Sequence, residues 1–283
     1  MKHSNASQTI ATLDARLDCE QIVRLLTTVV FPWDIERSLE FALFRTYAVP
    51  SISGLLAVTG EFVKQTQKRY DDTELLLAEV IESGMESERG QQAIERINAM
   101  HGRYTISNDD YLYVLSTFVF EPIRWLEKYA WRTLTHHEQE AWFNYYQKLG
   151  SRMKIQNLPE SIAEFENFNV KYEADNFVFA ESNVVIGNVT RDLFLSFYLP
   201  KSLYNLGKPI VYSMFSTELR SAFAYPKPNI FTQWITHGAL RARAVTQRFF
   251  PKNTTASTIA GRKLPSYPMG YAIKDLGTFK KSS

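Results

Sequence analysis

VKQTQKRYDDTELLLAEVIESGMESERGQQAIERINAMH, residues 63–101, carries the clearest folding signal in the chain. Its apolar positions return at intervals of three and four: Tyr70, Thr73, Leu76, Leu77 and Val80 make one face, and Ala93, Ile94, Ile97 and Met100 make another. That interval is the period of an α-helix, which brings every third and fourth side chain to one side. Gly84 supplies a stop, Ser87 can accept the free N–H groups that open the next helix, and Gly102 ends it just after His101. The stretch predicts two helices, 63–83 and 87–101, joined by a short turn.

The same periodicity continues on both sides, without the period-two alternation and hairpin turns of a sheet, so the fold class is all-α. A helix over 17–31 is closed by Pro32. Asp34 caps a second over 35–48, which Pro50 closes, and a third piece covers 51–62. Ser107 or Asn108 caps a strongly apolar helix from Asp109 toward Trp131, kinked at Pro122. Thr135 and Glu138 form a capping box for a helix over 138–153. Further helices are predicted over 162–176, 182–199, 202–213 and 230–248. No internal repeat or low-complexity block divides the chain. The expectation is a single multi-helix domain over 17–250, with a polar tail at 1–16 and an irregular tail at 251–283, where Pro251, Gly261, Pro265, Pro268 and Gly270 interrupt regular structure.

A chain of 283 residues with 45% hydrophobic and 22% charged residues can enclose an apolar core, and a 14% aromatic share lines it thickly. The formal net charge of +2 excludes a dedicated nucleic-acid binder. Cys19 is the sole cysteine, which rules out an intrachain disulfide and a multi-cysteine zinc site. The polar start lacks the apolar centre of a secretory signal, and no run reaches the roughly 18 apolar residues of a membrane span. The expected location is therefore cytoplasmic, with no transmembrane segment. Arg241, Arg243, Arg248, Lys252, Arg262 and Lys263 make the C-terminal region basic. A solvated face is the default there, with acidic lipid or another subunit as the alternatives.

Five histidines can be weighed singly as metal or haem ligands. His3 lies in a polar tail, and His136 and His137 belong to a helix start. His237 lies among Trp234, Ile235 and Leu240 and reads as a core histidine, the second choice as ligand. His101 follows Ile94, Ile97 and Met100 on an apolar helix and, taken alone, also reads as a hydrogen-bonded core residue. The pair Arg69 and Thr73, four residues and about one turn apart, alters that balance. The two share a helix face within roughly 40°, with Asp72 at its flank, so a cation, a hydroxyl and a carboxylate point one way. Such donors suit dioxygen activation, whereas the plainer account is a surface ion pair of Arg69 with Asp72 or Glu61. No phosphate-binding glycine loop, G-x-S-x-G elbow or di-iron Glu-x-x-His pair is present.

Lys68-Arg69-Tyr70-Asp71-Asp72-Thr73 and Arg96-Ile97-Asn98-Ala99-Met100-His101, in this order, resemble the family of the fungal mpaB oxygenases and bacterial latex-clearing (rubber oxygenase) proteins. Pro50-Ser51-Ile52-Ser53, 108–114, Glu121-Pro122, Arg124-Trp125, Trp131-Arg132 and Tyr267-Pro268-Met269-Gly270-Tyr271 extend the resemblance from about Phe31 to Gly277, nearer the mpaB branch. The resemblance implies a globin-like helical core around haem b, with His101 as proximal iron ligand and Arg69 and Thr73 as distal polar residues. It implies an oxygenase that cleaves a carbon–carbon double bond of an apolar, isoprenoid-like substrate with O2. Asp72 stands where rubber oxygenases carry a lysine, Asn98 where they carry an arginine, and their catalytic carboxylate has only Glu61 and Asp72 as nearest candidates. The alternatives are a non-catalytic haem or lipid carrier and a helical interaction protein.

Overall fold

Fourteen α-helices and no β-strand make up residues 5–249 and 255–277, the part described by the computed structural model. His3, Pro251 and Lys252 lie outside these residues. α1 (Asn5–Thr12) falls within the stretch expected as a polar tail. Its buried side chains, Ala6 and Ile10, are too few to raise a periodic signal, yet both join the main core. α2 (Cys19–Leu25) runs into one turn of π-helix, Leu26–Val30, and Pro32 then opens α3 (Pro32–Tyr47). Pro50 opens α4 (Pro50–Thr59) in the same way. The first helical turn needs no N–H and favours proline's fixed φ, so both prolines start a helix as well as ending the one before. Asp34 consequently lies inside α3 and is not its cap. It is 2% exposed and accepts hydrogen bonds from Trp125 Nε1 at 3.2 Å and Arg243 Nη1 at 2.8 Å.

Gly60, with φ +67°, separates α4 from the short α5 (Glu61–Lys64), splitting the piece expected over 51–62. α6 (Thr66–Ser83) and α7 (Glu88–His101) form the expected hairpin. Gly84 adopts φ +88°, and a Cβ on Gly90 would stand 1.9 Å from the Gly84 carbonyl oxygen. The turn can thus close this tightly only with glycine at both places. Ser87 Oγ accepts the Gly90 N–H at 3.0 Å and caps α7. α8 (Asn108–Tyr129) is capped by Ser107, α9 (His136–Arg152) by the Thr135–Glu138 box, and α10 (Ile162–Asn176) by Ser161. α11 (Glu181–Ser196), α12 (Tyr204–Ser213), α13 (Thr217–Ala222) and α14 (Ile230–Phe249) complete the set. α13, at six residues, is too short for its period to be read.

α8 runs through the centre, packed along α3 and touching α9, α10 and α14. The main apolar cluster centres on Trp142, Phe120 and Phe165, and a second gathers Phe44, Phe194, Phe215 and Phe223 where α3 meets α11 and α13. Residues 255–277 contain one short 3-10 turn, Ile273–Asp275, which packs on α7, while the residues before it lie against α6. Four acids on α6, of which Asp71, Asp72 and Glu79 are buried and Glu82 half-buried, hold this segment. Asp71 accepts the Ser266 N–H at 2.9 Å, Asp72 accepts the Tyr267 hydroxyl, Glu79 accepts the Tyr271 hydroxyl, and Glu82 accepts the Ile259 N–H at 2.6 Å. Asp71, Asp72 and Glu79 can be buried because the C-terminal segment, α6 neighbours and, for Glu79, Arg89 of α7 satisfy them.

Candidate functional site

Hairpin arithmetic positions the central residues. α6 leads into the turn at Gly84 and α7 leads away from it, each residue advancing about 1.5 Å. His101, at the far end of α7, therefore returns to the level of Arg69 and Thr73 near the start of α6. There a cavity of about 340 Å³ opens among helices α3 to α9, and Arg69, Asp72, Thr73 and His101 all line it. Leu55, Leu76, Ile97, Val114, Phe118 and Leu149 give most of its surface an apolar character. This volume lies in the range of small-molecule sites.

His101 Nδ1 is buried without a hydrogen-bond partner, and the ring meets Tyr111 edge-on at 5.5 Å. Burial, then the positive charge of Arg69, pull its pKa down to about 4. The imidazole is neutral at physiological pH and keeps a lone pair, the state a metal ligand needs. The account of His101 as a hydrogen-bonded core histidine does not match this orphaned nitrogen. His237 does match it, because its Nδ1 pairs with the Tyr129 hydroxyl at 2.8 Å and its ring stacks on Tyr129. His237 is not among the residues that line the cavity. His136 is exposed at the start of α9; His137 beside it is partly buried and its Nε2 also lacks a hydrogen-bond partner, but neither lines the cavity that His101 shares with Arg69 and Thr73.

Arg69 forms no side-chain hydrogen bond or ion pair among the described residues, so the surface ion pair with Asp72 or Glu61 is not formed. Asp72 instead holds Lys68, whose Nζ lies 2.8 and 3.0 Å from its two oxygens, and accepts the Tyr267 hydroxyl. Its own side chain is 1% exposed. Thr73 Oγ1 donates back to the Arg69 carbonyl oxygen at 2.9 Å, a bond that leaves the oxygen's lone pairs toward the cavity and commits its proton. Glu61 also lines the cavity. The partners missed by sequence reasoning are Lys68 and Tyr267, although both lie in stretches that carried the resemblance. Tyr47 and Asp110 were missed as cavity residues, since an aromatic position on α3 and an acidic one at the start of α8 look like any core or capping residue. Tyr111 lies on the aromatic-rich helix expected to line a pocket and does so, whereas no residue of 183–215, the other stretch expected there, lines it.

A haem group fits the residues present: one neutral, partnerless imidazole and one unpaired guanidinium face a largely apolar cavity. A single protein nitrogen is enough to hold a porphyrin iron, and a guanidinium suits either a propionate or an oxygen ligand.

Behind Thr73 lies a smaller cavity of about 80 Å³, which shares Leu43, Thr73, Leu77 and Phe118 with the larger one and is faced by Glu36, Glu40 and Glu74. Burial pushes Glu40 up to about 8, against Arg37 and the Tyr70 hydroxyl. Burial, then the charge of Glu36, push Glu74 up to about 7. Acids with raised native pKa values hold protons that the unfolded chain has released, so they weaken the fold as pH rises from 4.5 to about 8. Glu74→Gln should therefore unfold at higher urea than the parent at pH 8, by on the order of 1 kcal/mol, and lose that advantage near pH 5. An advantage unchanged between the two pH values would contradict this.

The family model described as "ER-bound oxygenase mpaB/B'/Rubber oxygenase, catalytic domain" matches residues 46–247. The chain is 31% identical over 226 residues to ER-bound oxygenase mpaB' of Penicillium brevicompactum, covering 74% of this chain and 53% of that protein. It is 29% identical over 223 residues to ER-bound oxygenase mpaB of Penicillium roqueforti, covering 72% and 74% respectively. A third match, to mpaB of Penicillium brevicompactum, is 35% identical over 154 residues and covers 52% of this chain and 39% of that protein. The chain thus spans about half the length of the mpaB' protein. Among the described residues no single helix is long and apolar enough to cross a membrane, and α3 with α4 passes that test only as a pair bent by 93°. The match over 46–247 encloses Arg69, Asp72, Thr73 and His101, and the chain belongs to the mpaB and rubber oxygenase catalytic-domain family, on its mpaB side.

Proposed function

We propose that the chain is a haem b-dependent oxygenase that cleaves a carbon–carbon double bond of an apolar, isoprenoid-like substrate with O2. The observation that carries this reading is the joint placement of a buried imidazole without a hydrogen-bond partner and an unpaired guanidinium on one apolar cavity, in a member of an oxygenase family. Haem b, held through His101 in a globin-like core, would supply the redox-active iron for dioxygen chemistry.

The chain's own residues then have separable tasks. The depressed pKa keeps His101 neutral and available as a ligand over the whole physiological range. The Arg69 guanidinium offers fixed donors to an anionic or polarised oxygen atom in a largely apolar cavity. Thr73 can serve beside it as an acceptor, or as a donor once its hydroxyl turns from the Arg69 carbonyl. Asp72 has its oxygens engaged by Lys68 and Tyr267, so it acts as a fixed wall charge that fastens the C-terminal segment across α6. The aliphatic and aromatic lining excludes water and favours an apolar chain over a polar one.

Arg69→Ala should keep the haem absorption of the parent and lose oxygen-dependent turnover by roughly 100-fold or more. The assay incubates reduced protein with O2 and an unsaturated prenyl compound and detects carbonyl products by mass spectrometry. Full turnover in the variant would remove Arg69 from the mechanism. Haem binding with no product from any unsaturated chain, even by the parent, would favour a carrier over an oxygenase.

A further inference from the structure

The outward face of α14 is apolar along its whole length. Phe231, Trp234, Ile235, Ala242, Val245 and Phe249 follow one another at helical spacing, all within about 60° of one line at 100° per residue. Trp234 is 77% exposed and Phe249 83% exposed. Gly238 falls on the same line, and nothing lies within 4 Å of where its Cβ would be. The opposite face already packs inward through Thr236 and Ala244, so this second apolar stripe is not the helix's core face. α12, which packs against α14, adds Leu206 and Ile210, 71% and 50% exposed. A contiguous apolar surface of this kind marks an interaction site.

The surrounding charge says what kind of surface fits it. Residues 200–249 contain seven Lys and Arg and one acid, Glu218, in a chain whose whole formal charge is only +2. Lys201, Lys227, Arg241 and Arg248 are exposed, and none forms an ion pair with a carboxylate among the described residues. Arg241 and Arg248 lie on one flank of the apolar stripe, where the Arg241 stem can follow apolar matter while its guanidinium stays at a polar boundary, and Arg248, whose Nε donates to the Trp131 carbonyl oxygen at 2.9 Å, holds its charge beside it. A symmetric pairing of two copies through this face would bring two strongly cationic regions together. An anionic bilayer surface satisfies the apolar stripe and the cations at once, in the manner of helices that lie in the lipid–water interface.

We propose that the outward face of α12 and α14 docks this chain onto an anionic lipid bilayer, lying in its surface without spanning it. The proposal needs neither haem nor turnover. Its test is co-sedimentation of the full chain with vesicles of phosphatidylcholine alone or phosphatidylcholine mixed with phosphatidylserine, at low and high salt. The parent should pellet with the anionic vesicles, much less with the neutral ones, and less at high salt. Phe231→Ser with Trp234→Ser, and separately Arg241→Glu with Arg248→Glu, should each lower anionic binding by roughly tenfold or more. All four positions are exposed, so circular dichroism and the haem spectrum should match the parent. Phe249→Ser, alone at the far end of the stripe, should lower binding by a smaller factor. The parent staying in the supernatant, binding both vesicle types equally, or variants binding like the parent would overturn the proposal. So would a solution dimer that Phe231→Ser with Trp234→Ser converts to monomer, since the face would then serve a second copy.

Discussion

Purified His101→Ala is expected to lose its Soret absorption, by roughly tenfold or more, while its far-ultraviolet circular dichroism stays that of the parent. The separation of the two readouts comes from the bonding of this side chain. Nδ1 makes no hydrogen bond, so removing the ring breaks no polar interaction at that atom, and the ring borders a cavity. The stability cost should stay near about 1 kcal/mol, the usual scale for a partly buried side chain that anchors nothing. Haem affinity, by contrast, would lose its one iron ligand from the protein. If the band survived unchanged, the ligand would have to be another residue. His237 is the next imidazole to consider, although its Nδ1 is occupied by Tyr129.

Asn183→Ala should produce the largest loss of stability, on the order of 3 kcal/mol in urea unfolding. Asn183 is 0% exposed, and its Nδ2 lies 3.1, 2.9 and 3.0 Å from the carbonyl oxygens of Ala48, Val178 and Ala222. Its Oδ1 accepts the Ser53 hydroxyl at 2.5 Å. One amide thus ties the start of α11 to the α3–α4 turn, to the residues before α11 and to the end of α13. Truncation leaves buried carbonyls without donors, and each such group costs about 1–3 kcal/mol. The α3–α4 turn also leads into the cavity wall at Ser51, Ile52 and Leu55, so weaker ligand binding should accompany the lower stability. A midpoint shift within error of the parent would show that these carbonyls find other partners.

Local chemistry was legible in the sequence, and contacts between distant segments were not. Ser87, Ser107, Thr135 and Glu138 act within a few residues of themselves, and each caps the helix its spacing implied. The bounds of α10 emerge equally from local periodicity. Pro32 and Pro50 read only as helix stops because a proline's backward effect is visible in any sequence, while the helix it starts depends on the residues beyond it. Asp34 looks like a cap for the same reason, yet its partner Arg243 lies 209 residues away and no local pattern announces it. Tyr267 and Lys68 meet on Asp72 across a comparable gap. At the candidate site, the shared helix face of Arg69 and Thr73 was readable from their spacing. That His101 would face them required the hairpin turn to be as tight as Gly84 and Gly90 allow. Whether those side chains would be paired or free depended on Lys68 and Tyr267, which is a matter of packing in three dimensions.

The account depends most on an iron porphyrin held in the cavity that Arg69 and His101 line, and the most direct measurement is the haem content of the wild-type chain purified from cells supplied with haem. Pyridine haemochromogen absorbance set against protein concentration should give about one haem b per chain. A correctly folded, colourless protein that takes up no added haem would contradict it.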